Sequence, residues 1–494
     1  MGLWTRKTID SMTPGDELGE VFSDASPSTA PRLRRTLGPI HLMALGVGAI
    51  VGTGIYTLIG QTAGMAGPGV MISFLVAGAI CAAVALCYAE LASMIPASGS
   101  AYTYSYVAVG EILAWVIGWA LILEYSLVCS AVAVGWSGYA VGLLNGIGVH
   151  LPDALTHGPF VIAATATTPE IPPGVINLPA VLILFAVAGL LCLGTKESAI
   201  FNTTLVVLKI VALLVFIVLA LPHIKAENFY PFLPNGLGAT PSADGTKVGV
   251  MAASAIIFFA FYGFDAVSTA AEEVKNPKRD LAIGVIGSMV ICTILYMVVA
   301  LVAVGAMPVN DFKSSSEPLA HITRSLGYPE LALAIAAVAS IAMPTVILAF
   351  MFGQSRIFFV MARDGLLPRW LGAVNVKRGA PVVVTLVTAA LVSVLAGLLP
   401  LGTIVELANA GTLAAFISVA VCVMVMRQRD PERPRPFKTP GAFILAPFAI
   451  IGCLYLFLSL NQITQVFFFV WMAIGLLVYA TISAIRRSRP APAG

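Results

Sequence analysis

The sequence predicts an all-α integral membrane protein of 12 transmembrane helices: a 5+5 inverted repeat with discontinuous helices 1 and 6, plus helices 11 and 12. Three observations predict it. Of 494 residues, 59% are hydrophobic and only 10% charged, whereas a soluble domain carries about 25% charged residues. Apolar runs of bilayer length recur, near 38–62, 70–94, 109–143, 176–194, 202–221, 250–271, 281–306, 328–362, 381–399, 403–426, 440–459 and 464–486. Runs one and six, five spans apart, are both interrupted by glycine and polar residues, which points to an inverted repeat sharing a midplane site. The segments are then a tail 1–36, repeats 37–221 and 222–430, helices 11 and 12 over 431–486, and a tail 487–494.

Residues 1–36 are polar, with Pro, Ser and Asp and no apolar core of signal-peptide length, and read as a soluble tail. Run one carries glycine at 46, 48, 52 and 54 within Leu45–Ile59. Each glycine costs about 1 kcal/mol against alanine in a helix interior, so a break is expected over Gly48–Gly54. A helix broken in midmembrane offers N–H groups at one end and C=O groups at the other, a dipolar seat for a small zwitterion. The plainer reading makes Gly48 and Gly52 a close-packing face, and run one alone does not choose between them. Run six, Ile256 to Asp265 followed by Ser268-Thr269, combines a midspan glycine with an acid. Runs three and eight are over-long and must tilt or continue past the membrane. Turns are marked at Ala66-Gly67-Pro68-Gly69, Pro96-Ala97-Ser98-Gly99, Asn276-Pro277 and Leu399-Pro400-Leu401-Gly402.

An even number of spans puts both termini on one side. With the N-terminus inside, 22 of the 27 Lys and Arg fall inside, 4 fall outside, and Lys209 lies within a run. That asymmetry predicts cytoplasmic termini in a multi-pass protein of the cytoplasmic (inner) membrane.

Lys209 is the most informative single residue. An intramembrane lysine costs at least about 2.5 kcal/mol and marks function by default. The alternative is a lysine that snorkels to the interface, but Lys209 stands about 12 Å up its helix. Buried, it is a candidate proton carrier. Glu124, deep in run three, should be paired or protonated; the sequence does not name its partner. Glu272 and Glu273 read as interfacial, and Glu90 and Glu111 as helix-end or gate charges. Gly138, Gly142 and Gly146 form a four-residue ladder that suits helix packing. The seven cysteines show no ligand spacing and read as reduced packing thiols. No HExxH, GxSxG or Walker pattern appears, so no enzyme, cofactor, metal or nucleic-acid partner is expected.

Five blocks, GVGAIVGTGIY (46–56), YAELASMIPASGSAYTYSYVAVGE (88–111), GTKESAIFN (194–202), FYGFDAVSTAAEEVKNPKRD (261–280) and GQSRIFFVMARDGLLP (353–368), resemble the cationic amino acid transporter family. That family lies within the amino acid–polyamine–organocation superfamily, and the resemblance is to its bacterial proton-coupled members. It implies a substrate carboxylate on the N–H groups of Gly52, Thr53 and Gly54. The ammonium would lie on carbonyls near Gly48, Ala49 and Ile50 and near Phe259, Ala260 and Tyr262. It also implies that Lys209 bonds a helix-one carbonyl, here that of Gly48, in the place where sodium-coupled relatives hold sodium. Val128, Tyr262, Phe350 and Met351 would set side-chain specificity. Glu124, by its own depth in run three rather than by the resemblance, is a second candidate for proton coupling, and the alternative is that it serves a cationic substrate. The pocket positions are apolar and bulky and Tyr262 replaces a usual aliphatic residue, which favours small-to-medium neutral L-amino acids over lysine or arginine.

The expected function is a proton-coupled L-amino acid symporter working by alternating access, with membrane lipids around it and room for a small single-span partner subunit. The rivals are an exchanger or uncoupled facilitator that includes cationic amino acids, and a non-transporting amino acid receptor or scaffold.

Overall fold

Apolar side chains face outward as well as inward in this protein. Val218, Ile444, Ile451 and Leu477 are all at least two-thirds exposed, as expected where the surrounding solvent is lipid. The computed structural model describes Arg6 and residues 37–95, 99–160, 174–192, 199–242, 246–269, 274–372 and 382–488. The N-terminal tail apart from Arg6, the turn residues Pro96 to Ser98, Lys196 and the Glu272–Glu273 pair lie outside the described residues. Among those described, eight helical stretches are long and apolar enough to cross a membrane. Four shorter apolar helices, Pro39–Ile50, Leu178–Cys192, Val250–Phe261 and Val382–Leu398, stand beside them.

The chain starts with α1 (Pro39–Ile50), α2 (Thr53–Tyr56), α3 (Leu58–Ala66), α4 (Val70–Met94), α5 (Ser100–Ala108) and α6 (Glu111–Gly146). Next come α7 (Leu178–Cys192), α8 (Ala199–Ala220), α9 (Val250–Ile257) with a 3-10 turn over Phe258–Phe261, α10 (Ala266–Thr269) and α11 (Pro277–Ala306). The remainder is α12 (Val309–Phe312), α13 (Pro318–Ser325), α14 (Pro329–Ala342), α15 (Pro344–Arg363), α16 (Val382–Leu398), α17 (Leu401–Arg429), α18 (Ala442–Ser459) and α19 (Gln462–Ser488). Helix α6 runs 36 residues without interruption. The apolar run 328–362 is instead split at Met343–Pro344, because a proline inside a helix lacks the N–H that would continue the ladder. A two-residue hairpin pairs Thr240 with Val248.

Helix α11 packs along α4 and α1, and α6 packs along α17 and α15. A parallel bridge joins Leu37 to Val274, and the Lys275 N–H donates to the Leu37 carbonyl at 2.9 Å. The chain just before α1 is thereby tied to the chain just after α10. Tyr88, Phe264, Phe258 and Tyr262 each meet Phe416 in an aromatic cluster between α4, the helix-six break and α17.

Candidate functional site

Helix α1 stops at Ile50. The Val51 N–H still bonds Val47 at 2.8 Å, but Val51 and Gly52 adopt extended backbone before α2 begins at Thr53. Among the bonds of an unbroken helix that the interruption forgoes are those from the N–H groups of Gly52, Thr53 and Gly54 to the carbonyls of Gly48, Ala49 and Ile50, and that from Ile55 to Val51 is absent as well. Two of those carbonyls are answered by side chains. Lys209 Nζ donates to Gly48 at 2.9 Å, and the Tyr296 hydroxyl donates to Ile50 at 2.9 Å. No described group accepts from the three N–H groups, which stand at the positive end of the resumed helix.

The second break faces the first. After α9 the chain tightens into the 3-10 turn, turns extended at Tyr262, and passes Gly263 at φ 110°, a conformation that excludes most side chains. The Gly263 N–H donates to Asp265 Oδ1 at 3.2 Å, and the Tyr125 hydroxyl donates to Asp265 Oδ2 at 3.1 Å. A methyl on Gly263 would lie 2.7 Å from Ala49, and one on Gly54 would collide with the backbone of Ala260. Each break thus rests on the other through a glycine, and the residues predicted from runs one and six, Gly48 to Gly54 and Phe259 to Tyr262, come together.

Lys209 is 1% exposed, and besides Gly48 it donates to Thr345 Oγ1 at 3.2 Å on α15. Its own carbonyl accepts from the Tyr56 hydroxyl at 3.0 Å, and the Tyr56 carbonyl accepts from Tyr139 at 2.6 Å. The ammonium therefore links α8, α1 and α15, and a run of tyrosine-to-carbonyl bonds continues from it to α6. Sequence reasoning did not include Thr345, Tyr56, Tyr139 or Tyr296. Tyr56 stands in the quoted helix-one block, but nothing in spacing alone aims its hydroxyl.

The residues expected to set side-chain specificity are all buried. Val128, Phe350 and Met351 are buried, with Phe350 stacked obliquely on Tyr125 at 5.1 Å between ring centres. Tyr262 is held by its hydroxyl, which donates to Asn409 Oδ1, and Asn409 in turn donates to the Ala255 carbonyl at 2.6 Å. Glu124 is 1% exposed, and its Oε2 has no hydrogen-bond partner among the described residues. It faces Asp265 and the Thr412 hydroxyl. The sequence marks Asp265 as the acid of run six but not its partners; Asn409 and Thr412 were missed because they lie on α17, far from Glu124 and Tyr262 in sequence.

Two layers enclose this region. At the end with α5, the Glu90 carboxylate accepts from Arg427 at 2.7 and 3.0 Å and from the Thr439 N–H at 2.8 Å, with Arg435 Nε 3.3 Å away. At the opposite end the segment carrying α12 and α13 sets Ser316 against Gly138 and Glu317 against Gly142, while Phe312 and Pro318 meet Gly60. The glycine ladder of α6 therefore receives this loop, with Gly146 against Leu333 of α14. Glu317 also pairs with Arg324 at 2.9 Å; burial nevertheless holds its carboxyl above the ordinary value. Glu111 accepts from Tyr106 and Tyr479, a plain structural role.

A sequence profile described as amino acid permease matches residues 37–483. A branched-chain amino acid permease of Bacillus subtilis (strain 168) is 45% identical over 455 residues, covering 92% of this chain and 94% of that protein. A methylthioribose transporter of the same organism is 40% identical over 456 residues, covering 92% and 95%. A vacuolar cationic amino acid transporter of Arabidopsis thaliana is 37% identical over 425 residues, covering 84% and 64%.

Proposed function

Because the chain belongs to the amino acid permease family of membrane transporters, we propose that it is a proton-coupled symporter of neutral L-amino acids working by alternating access. The observation that carries the reading is the Lys209 ammonium on the Gly48 carbonyl at the break in helix one. Protonated, Lys209 ties α1 to α8; deprotonated, it loses the charge that favours that contact. This is a two-state element that proton and substrate can both bias. The substrate carboxylate takes the N–H groups of Gly52, Thr53 and Gly54, and its ammonium takes carbonyls of the two breaks. Val128, Tyr262, Phe350 and Met351 surround the side chain. Glu124 serves as a second proton-sensitive group beside that pocket.

The architecture in this reading is 12 spans. Residues 37–221 and 222–430 are the inverted repeats, 431–486 adds helices 11 and 12, and both termini are cytoplasmic. The apolar wall favours leucine, isoleucine or valine, the chemistry named for the Bacillus branched-chain relative. The methylthioribose relative shows that a 40% identical protein takes another cargo. The test is uptake into proteoliposomes with acid imposed outside, with a panel of unlabelled competitors. Accumulation of labelled leucine, competed by isoleucine and valine but not arginine or methylthioribose, is expected. Uptake that equilibrates without accumulating would replace symport by facilitation, and uptake that requires amino acid inside would replace it by exchange.

A further inference from the structure

Beside the first turns of α11 lies a cavity of about 580 Å³. Its two ends differ in chemistry. Asn276 and Arg279 line one end, Ile283 and Ile286 line the other, and Pro436 and Phe437 close it from the strap between α17 and α18. Residues 279, 283 and 286 fall on one face of α11, so the lining runs about 10 Å along the helix axis from charged to apolar. Lys278, Arg279 and Asp280 immediately precede the uninterrupted uncharged run 281–306 of the same helix. The polar end therefore sits at the membrane surface and the apolar end inside the hydrocarbon.

The neighbouring charges favour an anion. Arg279 and Lys275 are exposed, as is Lys438 next to Phe437, while Asp280 is buried. A soluble metabolite would leave its polar groups against Ile283 and Ile286 without partners, which is costly. Water gains little in an apolar recess that offers few hydrogen bonds. A molecule with an anionic head and a hydrocarbon tail satisfies both ends, and basic pockets at the cytoplasmic membrane surface bind anionic lipid headgroups.

We infer that this cavity holds one anionic phospholipid of the cytoplasmic leaflet. Its phosphate sits on Arg279 and Asn276, and the upper part of one acyl chain lies along Ile283 and Ile286. The leaflet assignment rests on the proposed orientation of the termini. The site adjoins the site of transport: Gly287, which also lines the cavity, lies against Met43 of α1.

The experiment is native mass spectrometry of the full chain released from bilayers of equal phosphatidylglycerol and phosphatidylcholine. Wild type should retain one phosphatidylglycerol in preference to phosphatidylcholine. Arg279→Gln should lose that preference about fivefold and Arg279→Lys should keep most of it. Ile283→Trp, which fills the apolar end and leaves Arg279 in place, should also lower retention. Equal retention of both lipids, or an Arg279→Gln protein with unchanged preference, overturns the site. Labelling of Lys438→Cys by an impermeant maleimide added outside intact cells overturns the leaflet assignment alone; no labelling is expected.

Discussion

Two buried polar regions of this protein are built in opposite ways. Around Glu90, two arginines and a backbone N–H converge on one carboxylate, and the strap behind it is held further by Thr439 on the Leu86 carbonyl at 2.9 Å. At the helix breaks the bonding is sparse: Gly48 and Ile50 each take one side-chain donor, and Glu124 Oε2 takes none. A densely paired network resists change because a group that moves loses partners, even though Arg435 Nε contributes only its charge and makes no hydrogen bond among the described residues. A sparse one leaves groups whose partners can arrive or depart. The first region ties one end of the bundle together, and the second is where the proposed function puts a small ligand and a proton.

That contrast can be broken by mutation, and the largest effect should come from Lys209→Ala. Gradient-driven accumulation should fall to the level of empty liposomes while the protein still unfolds cooperatively in a thermal scan; retained accumulation would return Lys209 to a packing role. Glu90→Ala should act the other way round. Removing one partner of a buried ion pair costs about 3–5 kcal/mol, so the unfolding midpoint should drop sharply, while uptake per folded molecule changes little. Next is Gly54→Ala, whose methyl must displace Ala260. Overpacking of this kind costs about 1–3 kcal/mol, and a binding assay with labelled leucine should show weakened affinity with the fold intact. Glu124→Gln should cost under about 1 kcal/mol, since no bond to Oε2 is lost, yet alter the pH profile of uptake; an unchanged profile would remove Glu124 from coupling.

The smallest effect concerns the segment carrying α12 and α13, the outer lid of the proposed orientation. Glu317 has a carboxyl raised by burial, with Arg324 and His321 opposing the shift. A group whose pKa is higher folded than unfolded contributes stability at low pH that is lost as pH rises through the folded value. Lid protection in hydrogen exchange should therefore increase as pH falls from the neutral range into that of a raised carboxyl, and Glu317→Gln should flatten the trend.

The positions of the helices were legible because lipid-facing helices must be apolar for the length of the bilayer. The break in helix one was legible because four glycines in nine residues argue against a continuous helix. The split at Pro344 was equally visible in the sequence, yet hydropathy averaged over it. Long-range polar partners were not legible. Asn409 reaches Tyr262 across 147 residues, and Thr345 reaches Lys209 across 136, and neither pairing leaves a local pattern. The lid helices α12 and α13 were missed because an amphipathic turn of four to eight residues reads as loop.

The reciprocal glycine contacts, Gly54 on Ala260 and Gly263 on Ala49, also have a mechanical meaning. Two bodies that touch at two separated points cannot slide past each other without prying both apart. The soft motion left to them is rotation about the line through the contacts. The two interrupted helices are therefore expected to rock against each other about that line, and the backbone next to the two glycines is where displacement during the rocking is least.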